Sequence, residues 1–129
     1  LERPLQRYLL TGAGGFLGAI ARLWVGTTIS DRYGSHFPYG TFVVNLSGCV
    51  VIGLVLSLLN AHTNINPAWR FFLPIGFIGG YTTFSSFEWE TLSAMRGGQP
   101  GIALLYVAAS VVLGFACVWL GALVGRWIG

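Results

Sequence analysis

The residues that could do chemistry in this sequence are neutral hydrogen-bond donors placed inside apolar segments. Asn45 stands in one such segment, Ser85 and Ser86 in another, and Tyr106 and Ser110 in a third. Their amide and hydroxyl groups can donate to an anion without supplying a fixed positive charge. A cation at low dielectric would hold an anion tightly, whereas conduction requires sites that the ion can leave. These donors therefore favour a path of weak anion sites.

Each donor also has a packing interpretation. Asn45 could form an interhelical hydrogen bond, which contributes about 0.6 to 2 kcal/mol in lipid. Tyr106 and Ser110 are four residues apart, so they lie on one face of a helix, with Gly114 one turn further on. This stripe could pack against another helix, with the serine bonded to its own backbone. The residues alone leave both interpretations open.

Two phenylalanines accompany the donors. Phe84 and Phe87 are three residues apart and share a face of any helix that contains both. Paired phenylalanines usually pack in a core. An aromatic ring nevertheless has a positive edge, so two rings turned edge-on could attract an anion weakly without a formal charge.

The segment that contains this pair, residues 76–87, has a composition that disfavours a continuous helix. It contains three glycines and four Ser or Thr residues in twelve positions. Glycine costs about 1 kcal/mol relative to alanine inside a helix, and Thr82 and Thr83 are β-branched residues that can bond the backbone locally. We predict a break near residues 79–83. Its exposed carbonyls would favour a cation, and the N-terminal end of the following half-helix would favour an anion.

Composition indicates the elements that position these residues. The 129-residue chain is 54% apolar with a mean hydropathy of +0.71, and only 9% of its residues are charged, against about 25% in soluble domains. We predict an all-α integral membrane protein that forms one transmembrane domain over residues 1–129. Its four spans, each near the length that crosses a bilayer, are predicted at about residues 8–27, 39–60, 69–94 and 101–126.

The charges are few and scattered. The sequence has seven arginines and no lysine, with a formal net charge of +3, and no basic patch that would indicate a nucleic-acid partner. Four arginines fall on one predicted side of the membrane and two or three on the other, which is a weak orientation bias. This weak bias is consistent with insertion of the protein in both orientations. Four helices also enclose little interior, so we expect a homo-oligomer in membrane lipid.

Arg22 and Glu90 need separate interpretations. Arg22 lies within the first apolar segment, where a guanidinium requires a partner, water or a functional task. A snorkelling structural arginine and an arginine at an ion entrance are both consistent with this position. Glu88 and Glu90 are interpreted as marking the end of a span.

The sequence fits two other functional classes less well. A small dual-topology multidrug transporter exchanges protons for cations through a carboxylate inside the membrane, and the first span has no Asp or Glu. An intramembrane enzyme would need a base beside one of the serines, but His36 and His62 fall in predicted loops. We therefore predict a protein that is not an enzyme.

Three motifs resemble those of a known family. They are Gly18-Ala19-xx-Arg22, Gly40-Thr41-Phe42-xx-Asn45-xx-Gly48 and Gly79-Gly80-Tyr81-Thr82-Thr83-Phe84-Ser85-Ser86-Phe87. Together they resemble the Fluc (CrcB) family of small fluoride channels, and the similarity runs through all four spans. The resemblance implies an antiparallel dual-topology homodimer, in which the two subunits insert oppositely, with two fluoride pores. It also implies passive fluoride export across the bacterial cytoplasmic (inner) membrane to relieve fluoride toxicity.

The resemblance further implies roles for individual residues. Phe84 and Phe87 would form an aromatic box beside the fluoride path, and Asn45 would donate to the ion. Tyr106 and Ser110 would belong to a polar track on the fourth helix, and Ser85 is a further donor expected on this pathway. Gly114 is a departure, because some members of the family have another serine there.

The remaining implied roles concern the pore entrances and a cation. Arg22 and Glu90 match positions near the vestibules of the pore. The backbone carbonyls of Gly79 and Thr82 match positions that bind a structural Na⁺ at the dimer interface. No organic cofactor is expected.

Overall fold

The computed structural model describes residues 3–129, and every regular element within that range is helical. We number the helices α1 (Pro4–Tyr33), α2 (Tyr39–Ala61), α3 (residues 68–81), α4 (Ser85–Arg96) and α5 (Pro100–Ile128). Helix α3 is a continuous rod of three pieces, Ala68–Arg70, a π-helical segment Phe71–Ile78, and Gly79–Tyr81. The prediction of an all-α protein is confirmed.

Within residues 3–129, three helices are long and apolar enough to cross a membrane, namely α1, α2 and α5. The third predicted span corresponds to two shorter rods, α3 and α4, joined by a non-helical link at residues 82–84. Since neither rod is long enough to cross alone, the fourth crossing depends on both, which fits four spans with a broken third.

Proline and glycine mark the helix ends. Pro4 and Pro100 occupy the first turns of α1 and α5, where the missing N–H removes no helical hydrogen bond. Helix α1 ends at Gly34, which has a φ of 87° and donates its N–H to the Ser30 carbonyl. Such a positive φ suits glycine. Both helices are consequently longer than the spans predicted at residues 8–27 and 101–126.

Close glycine contacts join α1 to α3. A Cβ on Gly80 would lie 2.6 Å from the Gly15 carbonyl oxygen, and one on Gly18 would lie 2.9 Å from the Tyr81 amide nitrogen. Both distances are shorter than real Cβ contacts, so the two backbones approach as only glycine allows. The structure thus places α3 on the glycine face of α1.

Helix α2 packs against α5 in a similar way. A Cβ on Gly121 would lie 3.0 Å from the Leu54 amide nitrogen, and one on Gly125 would lie 2.7 Å from Ser57 Cβ. Ser57 also donates from Oγ to the Ala122 carbonyl at 3.1 Å. Helices α2 and α5 therefore form a closely packed pair beside the pair formed by α1 and α3.

The break in the third span begins later than predicted. Gly79 and Gly80 are helical, and the backbone first becomes extended at Thr82, with φ −84° and ψ 159°. The packing of Gly80 against α1 offsets the poor helix propensity of glycine. Thr82 Oγ1 donates to the Ile78 carbonyl at 3.0 Å, so the hydroxyl residues, and not the glycines, mark where α3 stops.

Candidate functional site

The break is held by a two-way hydrogen bond with α2. Asn45 donates from Nδ2 to the Thr83 carbonyl at 3.0 Å and accepts from the Thr83 N–H on Oδ1 at 2.9 Å. Asn45 thus forms a packing hydrogen bond between α2 and the third span. An amide nitrogen carries two N–H donors, and one of them is used here. The other can therefore serve a ligand.

A groove opens beside this hydrogen-bonded link. It has a volume of about 390 Å³ and is lined by α2, α3, α4, α5 and the link between α3 and α4. Its walls bring together most of the residues predicted for the site, namely Asn45, Gly79, Thr82, Phe84, Phe87 and Ser110. Ser85 and Tyr106 do not line it, and neither do Arg22 and Glu90.

The two phenylalanines differ in their surroundings. Their ring centroids are 5.8 Å apart at an interplanar angle of 52°. Phe87 is buried, with 7% of its surface exposed, whereas Phe84 immediately precedes α4 and is 73% exposed. One wall of the groove is therefore fixed in the protein core, and the other is open along this side of the subunit.

Behind the buried phenylalanine lies a polar cluster around Glu90. Tyr106 is fully buried and packs its ring at 4.9 Å from that of Phe87, near edge-on at 65°. Its hydroxyl donates to Glu90 Oε1 at 2.8 Å, and Thr41 donates to Glu90 Oε2 at 2.7 Å. The groove and the carboxylate are thus connected through Phe87 and Tyr106.

This cluster corrects the interpretation of Glu90 and shows where Tyr106 and Ser110 lie. Glu90 lies in the middle of α4 and is half-buried, so it does not mark the end of that helix. Tyr106 and Ser110 share a face of α5, but only Ser110 lines the groove, because Phe87 covers Tyr106. Thr41 was not singled out as a site residue, since its partner is 49 positions away.

Phe37 belongs to the same packed cluster. Its side chain is buried and packs edge-on against Tyr106 at 5.4 Å and against Phe42 at 5.5 Å. No local pattern distinguishes it from the exposed Tyr33 four residues earlier.

Arg22 contacts the break from the side of α1. Its Nε donates to the Gly80 carbonyl at 3.1 Å, within the last turn of α3. A cation at this position stabilises the partial negative charge of the helix end. Arg22 also lines a cavity of about 130 Å³ together with Thr41, Thr83 and Ser86, so the structural and entrance roles remain compatible.

The start of α4 presents hydroxyl groups. Thr83 Oγ1 accepts the Ser86 N–H at 3.2 Å, and the Ser85 hydroxyl lies 3.5 Å from the same oxygen. Ser85 is exposed and stands at the first position of α4. It therefore lies at the positive end of the half-helix but outside the groove.

Two carbonyls at the break lose their usual helical donors. In an α-helix the Gly79 and Thr82 carbonyls would accept from the N–H groups of Thr83 and Ser86. Those N–H groups donate instead to Asn45 Oδ1 and Thr83 Oγ1. Gly79 and Thr82 both line the groove, so their carbonyl oxygens are the backbone acceptors best suited to an oxygen-bound cation.

These features define a class of protein. The chain is a small multi-pass helical membrane protein whose interrupted span carries a groove of neutral donors and aromatic rings, at a break where two backbone N–H groups donate to side chains. Comparison with known proteins identifies its family. The model of the family described as CrcB-like protein, Camphor Resistance (CrcB), matches residues 9–122. The chain belongs to this family.

Curated relatives cover nearly the whole chain. A protein of Acidobacterium capsulatum is 54% identical over 123 residues, covering 95% of this chain and 98% of the relative. One of Solibacter usitatus is 53% identical over 121 residues, covering 94% and 99%, and one of Thermus thermophilus is 40% identical over 121 residues, covering 94% and 96%. Each of these relatives bears the name fluoride-specific ion channel FluC.

Proposed function

We propose that this protein is a fluoride channel, which lets the ion leave a bacterial cell passively and so relieves fluoride toxicity. One observation carries the proposal. Asn45, Phe84, Phe87 and Ser110 converge on one groove at the helix break, in a chain whose relatives bear the name of that activity.

The electrostatics of the groove support weak, reversible binding. Within residues 3–129 its lining contains no charged side chain, and its polar side-chain donors are amide, hydroxyl and thiol groups. Fluoride is small and strongly hydrated, so donors must replace part of its water. Neutral donors do so without the deep well that a guanidinium would create at low dielectric.

The path continues beyond the groove through the Glu90 cluster. The ring edge of Phe87 and the hydroxyls of Tyr106 and Thr41 follow one another from the groove to the carboxylate. These hydroxyls can donate their hydrogen bonds to a passing anion in place of Glu90. Arg22 and Glu90 are then assigned to the vestibules of the path.

A second copy of the chain would complete the groove. Phe84 is 73% exposed, and an open groove at membrane depth would leave its polar groups against lipid. An antiparallel dual-topology homodimer covers that side and yields two pores. The weak arginine asymmetry is consistent with insertion in both orientations.

A structural Na⁺ fits the carbonyls at the break. Sodium prefers oxygen ligands, and unwound carbonyls at a half-helix end provide them in membrane proteins. Gly79 and Thr82 would hold the ion with their backbone oxygens, which Asn45 and Thr83 free by taking the helical donors. The ion would supply a fixed charge that stabilises the break.

The multidrug-type cation and proton transporter is the second candidate, and Glu90 is the observation that favours it. The carboxylate is half-buried in a rod of the third span. It lies outside the groove, however, and accepts two hydroxyl donors. This arrangement suits an acceptor at the end of an anion path better than a carboxylate that binds a bulky cation.

The test is fluoride efflux from liposomes that contain the purified protein, with chloride efflux measured in parallel. We expect fluoride release well above that of protein-free liposomes and little chloride release. Equal release of both ions, or proton-coupled uptake of a cationic dye without fluoride release, would contradict the proposal.

A further inference from the structure

A second cavity lies at the loop end of the subunit, away from the groove. It has a volume of about 340 Å³ and forms where the connection between α1 and α2 meets the end of α4 and the start of α5. Its lining includes Glu90, His36, Phe37, Ser93 and Gln99. We call it the loop cavity.

The loop cavity and the groove are linked by one run of contacting side chains. Phe87 lines the groove and packs against Tyr106, and Tyr106 donates to Glu90, which lines the loop cavity. Phe37 closes the same junction from the other side, because it lines the loop cavity and packs on Tyr106. The groove and the loop cavity are therefore joined by the contacting side chains of Phe87, Tyr106 and Glu90.

The charge of this cavity depends on two side chains. Among residues 3–129, Glu90 and His36 are the ionisable groups in its lining. The nearby Asp31 and Arg32 carry opposite charges at the end of α1, and Arg96 stands in the last turn of α4, all outside the lining. A carboxylate alone would repel an anion from this chamber.

His36 is placed to offset that repulsion. Its side chain is exposed, and its Nε2 lies 3.3 Å from the Tyr39 hydroxyl, which can accept a hydrogen bond when this nitrogen carries a proton. Histidine changes charge between about pH 5 and pH 8. With His36 protonated the cavity is neutral overall, and with His36 neutral it carries the charge of Glu90.

We propose that the loop cavity is the second mouth of the ion path and that the protonation state of His36 sets its affinity for a small anion. The inference rests on the proposed fluoride conduction. A positive charge at the mouth raises the local concentration of the anion and so the rate at which it enters. Acidic solution would therefore increase entry from this end.

Fixed-charge variants test this without relying on pH. Fluoride efflux from liposomes is compared for His36→Lys, His36→Gln and His36→Glu, and for the matched set His62→Lys, His62→Gln and His62→Glu. His62 is the other histidine, in the connection between α2 and α3, and it does not line the loop cavity. Each variant is checked for assembly by size-exclusion chromatography.

We expect the His36 series to conduct in the order Lys, Gln, Glu, with about a threefold or larger difference between the ends at low salt. The difference should shrink as the screening length falls from about 30 Å at 0.01 M salt to about 8 Å at 0.15 M. Acidic solution should move the efflux of the wild type towards that of the Lys variant and alkaline solution towards that of the Gln variant, after subtraction of protein-free leak.

Two outcomes would overturn the inference while fluoride conduction itself stands. One is equal efflux across the assembled His36 series. The other is an equal charge effect in the His62 series, which would indicate a general surface potential. Absence of fluoride efflux in the wild type would instead refute the proposed function.

Discussion

Replacing Asn45 with Ala should weaken both the fold at the break and fluoride conduction. The substitution removes the hydrogen bonds to the Thr83 carbonyl and N–H. A backbone group left unpaired in a protein interior costs about 1 to 3 kcal/mol, so two groups give about 2 to 6 kcal/mol. Because the groove is open on one side, water reduces the loss, and we expect about 2 kcal/mol, near the lower limit.

The matched control is Ser57→Ala on the same helix. Ser57 makes one hydrogen bond, to the Ala122 carbonyl, away from the groove. Its loss should cost about 0.6 kcal/mol, the average for such bonds in a membrane protein, and should leave efflux unchanged. Stability is measured by reversible unfolding in mixed detergent micelles, and conduction by fluoride efflux from liposomes.

The two measurements distinguish the role of Asn45 in holding the break from its role in the ion path. Asn45→Asp keeps an acceptor for the Thr83 N–H but loses the donor and adds a negative charge. It should recover part of the stability and none of the efflux. If Asn45→Ala unfolds at the same detergent fraction as Ser57→Ala, the reasoning about the break is wrong.

Three further predictions concern the site and its support. Phe84→Ile and Phe87→Ile should each suppress fluoride efflux while the protein elutes at the same volume as the wild type, since the change removes a ring edge and little volume; undiminished flux in both would refute the aromatic role. Exchanging Na⁺ for a larger cation should lower fluoride efflux without any sodium current, because the proposed ion would be structural; a measurable sodium current would contradict this. Gly121→Val should prevent stable folding, because its side chain would overlap the Val50 carbonyl of α2; a normal yield of folded protein in detergent would disprove that packing argument.

The helical spans could be predicted because composition alone determines them. Long apolar stretches bounded by Pro4, Gly34 and Pro100 have few alternatives to membrane helices. The break in the third span could also be predicted from the sequence, since Thr82 and Thr83 are weak helix formers with hydroxyls that bond the backbone.

The position of the break could not be predicted to the residue. Local propensity places it at Gly79, but Gly80 packs on Gly15 and continues the helix. That contact joins residues 65 positions apart, so no short-range pattern reports it. Sequence reasoning treats a glycine as a weak point, whereas here the close approach it permits stabilises the helix.

The polar cluster was partly missed for the same reason. Glu90 follows Glu88 in an increasingly polar sequence, which resembles a membrane boundary. Its partners Thr41 and Tyr106 lie 49 and 16 positions away. Only the packing of α4 against α2 and α5 shows that the carboxylate is held by two hydroxyls inside the helix bundle.

The π-helical segment of α3 determines which way the residues after it face around the helix axis. One residue advances an α-helix by about 100°, and Phe71–Ile78 spreads its turns further, around Pro74. Shortening this segment by one residue would rotate Gly80 away from α1 and Gly79 away from the groove. The segment therefore sets the rotation of the rod, so that Gly80 faces α1 while Gly79 faces the groove.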